Sequence, residues 1–110
     1  MSYRTRKSDR EVTISRTEAG DGRKGRYVAT IEGLQVGGEM TFTRVNDRKI
    51  ILDHTGVDES LSGEGVGSML AKYVVEDARE RGEQIIPLCP FFKAQAERHE
   101  EWWDVVLNMQ

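Results

Sequence analysis

Apolar and polar residues alternate along four stretches in the first half of the chain, and this alternation predicts β-strands. The stretches are residues 12–15, 26–31, 40–45 and 49–57. Short segments rich in glycine, asparagine and aspartate separate them, and connections this short join antiparallel neighbours. The pattern therefore predicts a four-stranded antiparallel meander.

The hydrophobic period changes after residue 65 from two to between three and four, which predicts an amphipathic helix. Gly82 follows this pattern and is the residue type that commonly ends a helix. The apolar run 84–88 predicts a buried fifth strand, parallel to the fourth because a helix connects them. Pro90 suits the first turn of a second helix that reaches about His99. The packed segment 100–107 is predicted to be helix rather than strand. The helical face consists of Val66, Met69, Leu70, Tyr73, Val74 and Ala78.

The predicted fold class is therefore α+β (α/β), and 110 residues are enough for one modest core, so residues 1–110 are predicted to form a single domain. The net charge of -3 disfavours general nucleic-acid binding. No stretch is long and apolar enough for a membrane span, and Met1 is followed by no apolar signal core. The single cysteine, Cys89, cannot form an internal disulfide, which predicts a cytoplasmic protein.

The start of the chain is unusually basic. Residues 1–26 contain eight Lys/Arg and four Asp/Glu, and residues 1–10 are polar enough to be predicted disordered. We interpret this region as a solvated or frayed end rather than as a binding arm. No cluster of cysteine and histidine has the spacing of metal ligands, so no metal is predicted.

Three glycines alternate at Gly63, Gly65 and Gly67, between the fourth strand and the first helix. The first amides of a helix have no partner inside it, and the helix dipole adds partial positive charge there. The spacing differs from the dinucleotide fingerprint, and no Lys-Ser or Lys-Thr follows as in a P-loop. From these residues alone, a phosphate or pyrophosphate cradle made of amides and a simple turn both remain open.

A resemblance to a known family sharpens this interpretation. The runs DHTGV at 53–57, LSGEGVG at 61–67, PLCPF at 87–91 and RHE at 98–100 resemble the short, stand-alone N-acetyltransferases of the GNAT superfamily (YjdJ-type). The resemblance covers roughly the last two-thirds of the chain. The usual cradle of that superfamily is Q/R-x-x-G-x-G/A. Ser62 stands where Gln or Arg is usual, which removes one side-chain donor.

The resemblance implies a GNAT-like fold in which the fourth and fifth strands splay apart and admit acetyl-coenzyme A as co-substrate. The pantetheine arm would pair its amides with the open edge of the fourth strand, by strand addition. The implied cofactor-binding residues are Thr55, Gly56, Val57, Gly63, Glu64, Gly65, Val66, Gly67, Ser68, Cys89, Phe91 and Phe92.

Two residues near the implied opening could carry chemistry. Histidine is a common general base, so His54 could take the proton of an attacking amine, or it could be a packed histidine bonded to the backbone. Cys89 could be a nucleophile, an acid for the departing thiolate, or a small buried hydrophobe. Direct transfer is favoured over an acetyl-cysteine, because most of the superfamily works that way.

The favoured function is transfer of an acetyl group from acetyl-coenzyme A to an amine. The alternatives are a non-catalytic module that binds coenzyme A or regulates a partner, and an interaction domain whose glycine loop binds nothing. The chain has no room for the two helices that usually follow the first GNAT strand, or for the closing hairpin. The acceptor site is therefore predicted to be open or completed by a partner. The acceptor amine and the oligomeric state stay open.

Overall fold

The computed structural model describes residues 3–32 and 36–109, which form a mixed sheet and two α-helices. Short 3-10 helices span Glu59–Leu61 and Glu100–Trp102. The main elements are β1 (Tyr3–Arg4), β2 (Glu11–Ala19), β3 (Lys24–Ile31), β4 (Gly38–Asn46), β5 (Lys49–Val57), α1 (Val66–Arg81), β6 (Gln84–Pro87) and α2 (Pro90–Glu97).

The strands lie in the sheet in the order in which they follow one another along the chain. β1 to β5 are antiparallel neighbours, and β6 pairs in parallel with β5 after the α1 crossover. This arrangement confirms the predicted α+β, GNAT-like fold, with one more strand at the N-terminal edge than the alternation predicted. Two paired residues in β1 are too few to show a period of two in the sequence.

The N-terminal segment differs from its prediction. Residues 1–10 are predicted to be disordered, and of these, residues 1 and 2 lie outside the described residues. Tyr3 and Arg4, however, pair with Val12 and Glu11 on β2. The turn that follows is closed by the Thr5 N–H, which donates to the Arg10 carbonyl at 2.9 Å. Polarity alone suggested disorder because the groups that hold this turn in place lie far away along the chain.

The core lies between one face of the sheet and α1. Alternate strand residues point to this face, as a period of two requires. Each large apolar side chain removed from water contributes about 1.5–3 kcal/mol, which is why α1 is held against the sheet. Buried members of this core include Val12, Ile14, Tyr27, Ala29, Ile31, Met40, Phe42, Ile50 and Leu52 from the strands, and Leu70, Ala71, Val74 and Ala78 from α1.

The C-terminal segment is not the predicted helix. After the Glu100–Trp102 turn, Val106 forms a parallel bridge with Ile85 on β6. The Ile85 N–H donates to the Val105 carbonyl and the Leu107 N–H donates to the Ile85 carbonyl, each at 2.8 Å. Because β6 would otherwise present unpaired backbone groups at its outer edge, these bonds outweigh the helical preference of the segment. α2 begins at Pro90 as predicted and ends at Glu97.

Candidate active site

β5 and β6 separate at one end, which leaves part of the β5 edge open. The two strands pair only from Lys49 to Leu52, opposite Gln84 to Pro87. The last contact across the pair is the Cys89 N–H, which donates to the Leu52 carbonyl at 2.9 Å. Pro87 has no N–H to continue the ladder, and Pro90 starts a helix soon afterwards. The described backbone of 53–57 therefore pairs with β4 on one side and leaves the β6 side free.

Cys89 lies at the apex of this opening. Its thiol is 3.0 Å from the Thr55 hydroxyl, so the structure brings together two of the predicted site residues. The Cys89 residue is 3% exposed, and it forms the N-cap position of α2. The contact ties the end of β6 to β5 where the strands begin to separate.

His54 is exposed on β5, and a methyl group built on Gly56 would lie 3.6 Å from its Nε2 atom. Among the described residues its ring has no hydrogen-bond partner, unlike the packed histidine of the alternative interpretation. Successive strand side chains point to opposite faces, so His54 and Thr55 diverge. The structure does not bring His54 into hydrogen-bond contact with Cys89.

The glycine loop leads into an α1 N-terminus that no side chain caps. Gly63 and Gly65 both have a φ of 80°, a left-handed conformation that favours glycine, and Gly65 is the N-cap residue. The first helical hydrogen bond runs from the Met69 N–H to the Gly65 carbonyl at 3.0 Å. The amides of residues 66–68 therefore have no partner within the helix, and no acidic side chain lies in its first turn. This end of α1 can accept an anion.

A groove of about 290 Å³ runs along the loop beside the open end of β5. Its wall includes Val57 and Phe91, two of the exposed large apolar residues. A methyl group built on Gly67 would lie 2.7 Å from the Phe91 ring, so the ring rests on this glycine. Phe92, which the resemblance also placed at the ligand, is fully buried instead and stacks on Trp102 at a centroid distance of 6.3 Å.

The N-terminal turn docks on the glycine loop through Glu64. The Glu64 carboxylate accepts hydrogen bonds from the N–H groups of Lys7 at 2.6 Å and Ser8 at 3.1 Å. Its carbonyl accepts one from the Arg6 N–H at 3.0 Å. The backbone hydrogen bond from Lys7 is the main reason that the pKa of Glu64 lies below its usual value. Besides its implied place in the cofactor site, Glu64 therefore holds the N-terminal turn through its carboxylate.

This docking brings two cations to the loop that the sequence interpretation missed. A methyl group built on Gly65 would lie 2.5 Å from Arg6 Nε, and one built on Gly63 would lie 2.8 Å from Lys7 Nζ. Within 3–32 and 36–109, neither cation forms a salt bridge with a carboxylate. The basic composition of residues 1–26 was the one sequence signal for them.

A second, larger concavity of about 650 Å³ lies over β2 to β5. Thr41 lines it and is the cross-strand neighbour of His54, so both side chains lie on one face of the sheet. Asp53 also lines it and accepts a hydrogen bond from the Thr43 hydroxyl at 2.9 Å. His54 thus lies beside a concavity with a carboxylate in its wall. No group of three or more potential metal ligands occurs in the described ranges.

The mixed sheet, the separated strands and the uncapped helix together define an acetyltransferase-like domain. Residues 26–105 match the model of the GCN5-related N-acetyltransferase family. The chain belongs to this family, which confirms the resemblance seen in the sequence and makes acetyl transfer its general activity. Neither helix within 3–32 and 36–109 has the length and apolar character that a bilayer span requires.

Solved structures agree with this assignment. A GCN5-like protein from Staphylococcus aureus, determined by NMR in solution, is 34% identical, with a TM-score of 0.67. The match covers 89% of this chain and 90% of that one. The IAA acetyltransferase from Bacillus cereus is 23% identical over 67% of this chain and 63% of that one, with a TM-score of 0.55, and supports the fold alone. A comparison with curated proteins found no significant match.

Proposed function

We propose that this chain transfers the acetyl group of acetyl-coenzyme A directly to an amine. The observation that carries the proposal is the open edge of β5 beside the uncapped N-terminus of α1. An extended chain with amides suits the first feature, and an anionic group suits the second. The pantetheine and pyrophosphate parts of coenzyme A have these two properties in this order.

The residues of the chain fit the ligand without further groups. Thr55, Gly56 and Val57 supply the strand edge, and Phe91 covers the apolar part of the arm. The amides of residues 66–68 meet the pyrophosphate. Arg6 and Lys7 add charge next to these amides, where a charge-assisted hydrogen bond is about twice as strong as a neutral one.

His54 is the group that takes the proton from the amine, directly or through one water. The amine enters from the concavity that Thr41 and Asp53 line, and the Asp53 carboxylate favours a cationic acceptor before deprotonation. As the C–N bond forms, the C–S bond of the thioester breaks, and the departing sulfur needs a proton. The Cys89–Thr55 pair lies at the apex of the opening and supplies or relays this proton.

Calorimetric titration of coenzyme A into the Ser68→Glu variant tests the binding part of the proposal. A glutamate near the start of a helix is compatible with its dipole, so the variant is expected to fold. The carboxylate would repel the pyrophosphate, and affinity is expected to fall more than about tenfold, which is about 1.4 kcal/mol. Ser68→Gln is the matched neutral control and is expected to bind nearly as tightly as the parent. If Ser68→Glu binds coenzyme A with the parental affinity, the pyrophosphate binds elsewhere on the protein.

The structure makes Ser68 a sharper test position than Gly67. Gly67→Asp is also expected to weaken binding, but its side chain would displace the Phe91 ring as well as repel the phosphates. A loss of affinity in that variant would therefore have two causes. Ser68→Glu introduces the negative charge on the same helical turn without displacing the Phe91 ring.

Thioester turnover with mixtures of amines tests the chemical part. His54→Ala is expected to lower turnover by on the order of a hundredfold, with little change in coenzyme A affinity. The Thr41→Val variant, on the same face, is a control for disturbance of the concavity. Bound acetyl-coenzyme A should also slow alkylation of Cys89, and equal alkylation with and without it would place the thiol away from the thioester.

One observation favours a second function, a module that binds coenzyme A without turning it over. His54 and Cys89 are not in contact, and Cys89 is almost fully buried. Tight binding of coenzyme A with no acetyl transfer to any amine class would support this alternative.

A further inference from the structure

The concavity of about 650 Å³ over β2 to β5 contains a cation, Lys24, that has no role in the proposed function. Two neighbouring rows of side chains cross the floor of this concavity from strand to strand. One row ends with Thr41 on β4 opposite His54 on β5. In the other, Lys24 on β3 lies opposite Thr43, and the Thr43 hydroxyl donates to the Asp53 carboxylate at 2.9 Å. The lysine therefore lies on the β3 side, and the carboxylate lies on the β5 side, next to His54.

Lys24 and Asp53 carry opposite charges on one face of the sheet and are not paired. Within residues 3–32 and 36–109, neither side chain forms a salt bridge. The other cation in the wall, Arg26, is neutralised, because its guanidinium lies 2.8 Å from the Glu39 carboxylate. Two neighbouring charges of opposite sign that do not neutralise each other suit a ligand that carries both signs.

Glu18 also lines the concavity but does not neutralise Lys24. Lys24 lies opposite Ala19, and successive strand side chains point to opposite faces, so the Glu18 side chain leaves the face that holds the lysine. The Glu18 carboxylate lies 2.7 Å from the guanidinium of Arg16 and 3.4 Å from that of Arg44. Its charge is therefore used within the fold, and the lysine is left for a ligand.

The spacing of the two charges limits what can lie between them. β4 separates β3 from β5, and neighbouring strands lie about 4.8 Å apart, so the two backbones are about 10 Å apart. The side chains of Lys24 and Asp53 occupy part of this distance, and the remaining gap is the length of a few covalent bonds. A ligand that contacts both charges therefore has its own amine and anionic group close together. Free amino acids meet this requirement, whereas polyamines and simple amines carry no anionic group.

The order of the charges also orients the ligand. With its ammonium group at Asp53, the ligand presents its amine to His54 and to the opening where the thioester is proposed to lie. In the reverse orientation both contacts would be between like charges, which disfavours it. We infer that the acceptor is a small amine that also carries a carboxylate, as a free amino acid does, with the carboxylate bound by Lys24. The inference rests on the proposed function of the opening and names the class of acceptor.

The test measures kcat/KM for acetyl transfer to the common amino acids. The best of them is then compared with the amine that lacks only its carboxyl group, as histamine lacks that of histidine. The parent is expected to use the amino acid at least about tenfold more efficiently, because the carboxylate forms a charge-assisted contact with Lys24. Lys24→Gln is expected to bring this ratio to about one, and Lys24→Arg, which keeps the charge, to retain the preference.

Arg23→Gln is the matched control. Arg23 precedes Lys24 in the chain and is highly exposed, but it does not line the concavity and lies 3.5 Å from Asp21. Removing its charge changes the net charge of the protein as Lys24→Gln does. The control is expected to keep the parental ratio, so a general effect of charge on the acceptor can be told apart from a contact with Lys24.

The outcomes separate this inference from the proposed function. A parent that acetylates the amine without a carboxyl group as well as the amino acid, or better, would overturn the inference and leave the proposed function intact. A Lys24→Gln variant that keeps the parental ratio would also overturn the inference, because Lys24 is the cation on which it rests. If the folded parent acetylates neither amino acids nor simple amines, the proposed function fails, and the inference fails with it.

Discussion

The two ends of α1 treat their unpaired backbone groups in opposite ways. At the C-terminal end, Gly82 has a φ of 70°, and its N–H donates back to the carbonyls of Ala78 and Arg79. Arg79 and Arg81 in the last turn complement the negative end of the dipole. At the N-terminal end, Gly65 has no side chain with which to cap the first amides. One end is completed by the chain itself, and the other has no side-chain cap and is the end at which we propose that coenzyme A binds.

The charged residues near the two ends follow the same division. Near the C-terminal end, the Arg16 side chain is 4% exposed and lies 2.9 Å from Glu83 and 3.3 Å from Asp77. Near the N-terminal end, Arg6 and Lys7 lie against a helix terminus that already carries partial positive charge, which is unfavourable without an anion. Cations that are neutralised within the fold stabilise it, whereas cations left unpaired at a positive helix end indicate a binding site.

Glu83→Gln is expected to give the largest effect and to act only on the structural end. Without the Glu83 carboxylate, the buried charge of the Arg16 guanidinium is incompletely neutralised. The free energy of unfolding is expected to fall by about 3 kcal/mol. Urea denaturation measures this loss in the free energy of unfolding, and Glu80→Gln, an exposed change on the same helix, is the control. Coenzyme A affinity of the folded variant should stay parental. A loss below about 1 kcal/mol would show that the network contributes little.

Acid is expected to weaken the same end. Burial disfavours the charge of Glu83, but the hydrogen bonds from Arg16 and Arg44 prevail and lower its pKa. A pKa lowered on folding adds stability above the unfolded value of about 4.3, and this stability is lost as the pH falls through the folded value. Urea midpoints at pH 7 and pH 3 should therefore differ more for the parent than for Glu83→Gln. If the urea midpoint falls equally in the parent and in Glu83→Gln between pH 7 and pH 3, the acid sensitivity comes from other carboxylates.

Two glycine substitutions compare the ends directly. Gly82→Ala places a methyl group on a left-handed residue and is expected to cost about 1 kcal/mol of stability. Gly67→Ala gains up to about 1 kcal/mol from the higher helix propensity of alanine. The new methyl group also shifts the 40% exposed Phe91 ring slightly, and the cost of this shift is expected to offset the gain, so that stability changes little. Thermal unfolding of both variants measures the difference. If Gly67→Ala is the more damaging change, the ring is held more firmly than its exposure indicates.

Glu64→Gln is expected to give the smallest effect and to act only on the binding end. The neutral amide accepts the Lys7 and Ser8 hydrogen bonds more weakly, so the N-terminal turn should open more often. Amide exchange at Lys7 and Ser8 should accelerate, and coenzyme A affinity should fall about threefold as Arg6 and Lys7 leave the loop. Glu59→Gln, on the preceding 3-10 turn, is the control. Unchanged exchange at both amides would show that the carboxylate does not hold the turn.

Much of the fold and part of the site could be predicted because they depend on neighbours along the chain. The period of the apolar residues determined α1, and Gly82 determined its end, since helix geometry relates residues three and four apart. Alternation determined the strands of the meander, and the glycine loop before α1 pointed to an anion site. The family resemblance was carried by short runs of adjacent residues. All of this information is local and is therefore visible in one dimension.

The tertiary structure decided what depends on contacts between distant residues. Lys7 meets the Glu64 carboxylate across 57 positions, so a basic segment that looked disordered became part of the candidate site. Thr55 meets Cys89 across 34 positions, and packing on Trp102 directed Phe92 inward while Phe91 remained at the groove. The segment 100–107 joined the edge of β6 rather than forming a helix. In each case the partner that satisfies a polar group or covers an apolar one lies far away in sequence, and only the folded chain brings the two together.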